Sequence, residues 1–146
     1  MTEKAEDLWP ADLGIAPIVT PAAILREQAA LLGEKTKGVL EGTVETLAIG
    51  VDVRHRFVIL APALGYYRYV LFQVHHSSIT LYPVFVDEEP AMPQRALSSD
   101  FSLVERLNEA SGLPSEEALR AWLRRTLASD VTTHIIRNLH AQASGQ

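Results

Sequence analysis

The sequence predicts an α+β fold: an N-terminal helix, a four-stranded antiparallel β-meander, and three C-terminal helices packed on the sheet. Three observations predict it. A Thr20–Pro21 start is followed by apolar residues at helical spacing. From Val39 the period drops to two and holds through four segments joined by short connections. Such connections allow antiparallel neighbours but no parallel crossovers. After Gln94 the helical spacing returns in three short runs.

The elements can be justified in order. Residues 1–19 form an acidic tail with Pro10 and Pro17, and Trp9, Ile15, Ile18 and Val19 are expected to tuck against the body. Thr20 caps the first helix and Pro21 occupies its first position, where a missing N–H costs nothing. Ile24, Leu25, Gln28, Leu31 and Leu32 share one side. Gly38 is expected to end the helix, with Gly33 tolerated inside it. In the first strand Leu40, Val44 and Thr46 alternate with Glu41, Thr43 and Glu45, which gives one dry and one wet face. A turn near Gly50–Asp52 leads to "HRFVILAP", and Pro62 and Gly65 close that strand. "YYRYVLFQVHH" is the third strand and "ITLYPVFV" the fourth. Pro83 cannot donate to a ladder, so the fourth strand is an edge or carries a bulge. Val70, Phe72 and Val74 are expected on one face of the third strand, and Tyr67, Tyr69 and Leu71 on the other. Both faces of the sheet then look apolar and need two covers, helices on one side and helices or a second copy on the other. Of the C-terminal helices, the first runs from Ser99 or Asp100 to Gly112. The second is capped by Ser115, with Glu116 and Glu117 in its first turn and Leu119, Trp122, Leu123 and Leu127 as its stripe. The third is capped by Ser129 or Asp130, with Val131, Ile135, Ile136 and Leu139 inward.

Composition bounds the rest. The 146 residues make one domain over 20–142, with a fraying end at 143–146. The hydrophobic fraction is 47% and the charged fraction 21%, as in soluble globular proteins. No window approaches the roughly 18 apolar residues of a membrane span. The start is acidic and lacks the apolar core of a signal peptide. There are no cysteines, so disulfide and thiolate chemistry are excluded and a cytoplasmic location fits. The net charge of -5 argues against a nucleic-acid partner.

The candidate sites are few. "HHSS" at His75–Ser78 suggests a base or ligand, yet neighbouring strand residues point to opposite faces, so His75 and His76 cannot hold one ion from one side. The structural reading is a strand that ends at the histidines and turns at the serines. His55, in "DVRHRF", reads as a general base or anion site, or as part of a charged strand entrance that discourages aggregation. Tyr67 and Tyr69 flank Arg68, but the tyrosines and the arginine alternate across the strand, so a stacking platform for bases is divided. Arg120 and Arg124 are four apart on one helix and offer a mild interface. Four arginines against three acids over 115–140 make no basic patch. No G-x-S-x-G, phosphate loop or dinucleotide fingerprint is present. No cofactor, metal or catalytic set is therefore expected. The function expected is a non-catalytic binding or regulatory protein, a homodimer that takes a protein partner through a sheet face or a sheet–helix groove. The alternative is a small enzyme or ligand-binding protein with a pocket over the sheet formed by His75, Tyr67 and Tyr69, with His55 nearby.

Overall fold

The structure, a computed structural model, describes residues 5–15, 17–87 and 112–145. Its elements are α1 (Pro21–Lys35), β1 (Glu41–Ile49), β2 (Asp52–Ala61), a short 3-10 turn (Pro62–Leu64), β3 (Tyr67–Ser77), β4 (Phe85–Val86), α2 (Glu116–Leu127) and α3 (Asp130–Ala143). The sheet is an antiparallel meander in the order β1-β2-β3-β4. The α+β layout expected from the spacing is therefore present, with one N-terminal and two C-terminal helices. The first of the three expected C-terminal helices, from Ser99 or Asp100 up to Gly112, falls on residues outside the described ones. Among the described residues no helix is long and apolar enough to cross a membrane.

Local chemistry explains the helix ends. The Thr20 side chain accepts from the N–H of Ala23 at 3.1 Å, and Pro21 begins the helix. Ser115 caps α2 and Ser129 caps α3 in the same way. The end of α1 differs from expectation, because the helix stops at Lys35 and not at Gly38. Lys37 takes a left-handed φ of 54°. Its N–H reaches Glu34 O at 3.2 Å, while Gly38 N–H reaches Gly33 O at 2.8 Å. These paired bonds are a Schellman motif, with lysine where glycine is usual.

One face of the sheet holds the core. Register aligns Val44 with Phe57 and Phe57 with Phe72, and places Ile59, Ala61 and Val74 on the same side. Phe57 and Phe72 stack at 5.2 Å, and Trp122 of α2 meets Phe72 edge-on at 4.9 Å. Ile24, Leu25 and Ala29 of α1, Leu119, Trp122 and Leu123 of α2, and Leu139 of α3 complete this cluster. α1 lies directly on β1 at Gly42, where a Cβ would sit 2.6 Å from the Ala29 carbonyl oxygen. Burying this face provides most of the driving force for the fold.

Three expectations are corrected. First, β3 carries a bulge. Phe57 pairs with Phe72, but Val58 pairs with Val70, so Leu71 is the extra residue. The bulge breaks the alternation, and Tyr67 and Tyr69 share the helix-covered face with Phe72 and Val74. Second, β4 is only two residues long. The chain from Ser78 onward runs irregularly past Pro83, and Val84 instead pairs with Leu113. Third, the tail does not tuck in: Trp9 is 75% exposed and Ile15 87%. One link to the body is the Tyr82 hydroxyl, which donates to Val19 O at 2.9 Å.

Candidate functional site: the open face of the sheet

The face away from the helices is dry only near Val58, which is fully buried outside the main cluster. Toward the β1–β2 turn it becomes polar, so the expectation of two dry faces holds for half the sheet at most. Register sets Glu45 opposite Arg56, Arg56 opposite Gln73, and Arg54 opposite His75. These side chains form a network that converges on Asp87, just past β4. The Arg56 Nε–H donates to Gln73 Oε1 at 2.7 Å. Gln73 Nε2 in turn donates to Asp87 Oδ2. His75 Nδ1 contacts Asp87 Oδ1, and its ring stacks on Phe85 at 5.3 Å. Arg54 Nη1 lies 3.9 Å from Asp87, while its Nε–H donates to Asp52 at 2.8 Å. The backbone fixes this arrangement, because Asp87 N–H donates to Gln73 O at 2.9 Å.

Arg56 differs from its neighbours. It is exposed, and among the described residues it has a neutral partner and no ion pair. The carboxylate opposite it, Glu45, is taken by Arg68, whose Nε–H donates at 2.8 Å. That bond holds the Glu45 carboxyl below its usual range. Arg56 therefore stands in a depression of about 240 Å³, which Glu45, Leu47, Arg54 and Gln73 also line. Beside it lies an apolar corner. Leu47 and Ile49 project from the outer side of β1, Val51 follows in the turn, and Ile79 comes next after Ser78, whose N–H donates to Val51 O at 2.7 Å. All four are more than half exposed. Among the described residues β1 is also an edge strand, nine residues long, with a row of backbone groups unpaired on its outer side.

The sequence-derived residues scatter. His75 is on the open face. Tyr67 and Tyr69 are on the other face and near the opposite end of β3, with Tyr67 roughly 25 Å along the strand from His75. The structure does not bring these three together. His55 and His76 lie inside, bonded to each other through Nε2 atoms 2.9 Å apart. Arg120 is engaged within the fold by Glu116 at 2.9 Å and Glu27 of α1 at 3.7 Å. Arg124 is exposed on α2. Sequence reasoning missed Asp87 as the partner of His75, and Gln73 and Arg56 as members of the network. Asp87 is 12 residues beyond His75, and the pairing of β4 with β3 unites them. Among the described residues no group of three or more acidic or histidine side chains is placed to hold a metal ion.

No protein-family model matches the chain, and neither a curated protein nor a solved structure does.

Proposed function

We propose that this is a non-catalytic binding protein that acts as a homodimer and takes a protein partner on the open face of its sheet. The observation that carries the reading is the asymmetry of the two faces. Helices cover one, while the other presents an apolar corner (Leu47, Ile49, Val51, Ile79) beside Arg56, which has no ion pair among the described residues. Exposed apolar side chains gathered next to a strand that is an edge among the described residues are the composition of an interface. The second copy takes the apolar corner, and an acidic segment of the partner takes Arg56. The contacts of Gln73 and His75 with Asp87 give the surface a fixed shape.

The test is site-directed photo-crosslinking in the protein's own cells. Benzoylphenylalanine in place of Leu47 should yield a dimer-sized adduct. In place of Arg56 it should yield an adduct with a discrete protein. In place of the exposed Arg137 on α3 it should yield neither. Equal adducts at all three positions, or none at any, would reject the reading.

One observation favours a second reading. His75 is oriented by a carboxylate and, among the described residues, its Nε2 makes no hydrogen bond. This is the base–orienter half of a general-base site. Hydrolysis of an activated ester at equal rates by the protein and its His75→Gln variant would remove that reading.

A further inference from the structure

The buried pair beneath the open face leads to an inference that goes beyond the binding reading and does not depend on it. His55 and His76 are 3% and 5% exposed. They come from β2 and β3, and their rings lie nearly end to end, with centroids 5.0 Å apart and planes 33° apart. Each outer nitrogen is also held. His76 Nδ1 is 2.8 Å from Ser77 O, and His55 Nδ1 is 2.9 Å from the hydroxyl of Thr46 on β1.

These contacts admit one neutral proton arrangement. A carbonyl only accepts, so His76 carries its proton on Nδ1 and offers a lone pair at Nε2. His55 must then donate from Nε2, which leaves its Nδ1 to accept from the Thr46 hydroxyl. The result is one directed chain across three strands, from Thr46 through His55 and His76 to Ser77. Taking up one proton would bury a charge and, whichever ring carries it, force His55 Nδ1 to donate to Thr46. Taking up two would face two N–H groups, and two charges, at 2.9 Å.

We propose that this pair is an acid-sensitive lock: it ties β1, β2 and β3 together only while it is uncharged, and acidification opens the end of the sheet that carries the open face. Arg54 and Arg56 flank His55 in the chain, and His75 adjoins His76, so opening the lock would disturb the surface on the other side of the same strands. The charged group facing His55 from α1 is Arg26; from β3 it is His76; β1 contributes the uncharged Thr46. No carboxylate among the described residues faces the pair to stabilise an imidazolium. Burial, then the neighbouring His76, then Arg26 push His55 down to about 4. The sign follows. The folded form excludes a proton that the unfolded chain accepts at the ordinary value near 6.5, so stability is complete above about pH 6.5 and declines down to about pH 4.

The experiment is urea unfolding of the full chain from pH 7.5 to 5, compared with a His55→Gln variant, whose amide can both donate and accept but does not titrate. The unfolding constant of the native sequence should rise about thirtyfold more than that of the variant by pH 5. Parallel pH dependences would overturn the proposal. Nitrogen-15 spectra of the imidazoles in the unmutated protein decide the matter even if the variant fails to fold. At pH 6.5 they should show His76 protonated at Nδ1 alone and His55 at Nε2 alone. Doubly protonated rings in the folded protein at that pH would overturn the proposal. So would loss of the His55–His76 proton when Zn²⁺ is added in equal amount, which would make the pair a metal site.

Discussion

On the two faces of one sheet, adjacent histidines meet opposite conditions. His76 turns inward, is nearly dry, and finds an imidazole and a carbonyl. His75 turns outward, is half-buried, and finds a carboxylate that also serves Gln73 and lies close to Arg54. The same contrast runs through Arg54, His55 and Arg56 on β2. A strand's period of two places a structural group and a surface group on consecutive residues. What differs is the dielectric: inward, an unmatched polar group is costly, and outward, water supplies a partner for almost nothing. Residue type alone therefore says little about role in this chain, while face says much.

The comparison makes graded predictions. Trp122→Ala removes the ring that closes on Phe72 and should cost about 3–5 kcal/mol in urea unfolding. Gly42→Val, on the same face, would drive a side chain into the Ala29 backbone and should cost about 2–3 kcal/mol. On the open face, a double-mutant cycle on Glu45 and Arg68 should give a coupling under about 1 kcal/mol, since both side chains are more than a third exposed. A value as large as the loss at Trp122 would erase the distinction between the faces. Lys37→Gly, away from both faces, should raise stability by about 0.5–1 kcal/mol, because glycine adopts φ of 54° without strain. An unchanged or lower midpoint would show that the lysine side chain stabilises the turn by other means.

Much of the fold could be read because local chemistry and global fold agree. Thr20 with Pro21, Ser115 with two glutamates, and Ser129 each mark a helix start that the structure contains. The period of two marked three long strands, and it also showed that His75 and His76 would part company. The failures came where tertiary structure overrides a local rule. A single extra residue at Leu71 inverted the facing of Tyr67 and Tyr69, and no residue there signals a bulge. Gly42 did leave a signal, since a glycine inside a strand often marks a close backbone approach. It was read only as part of an alternating segment. The fourth strand is only two residues long, and Val84 just before it bridges to Leu113, a partner 29 positions away that periodicity cannot foresee. The open-face network was illegible for a related reason: Asp87 reaches His75 through the pairing of β4 with β3, whose register no local pattern sets.

The solution mass of the protein tests the central claim most directly. Sedimentation equilibrium over a wide concentration range should find twice 16.1 kDa for the native sequence. It should find a single chain for Leu47→Glu, with unfolding stability unchanged within about 0.5 kcal/mol, as expected for a surface position. A single-chain mass for the native sequence at every concentration would contradict the account. The apolar corner would then be an exposed surface with no second copy to cover it.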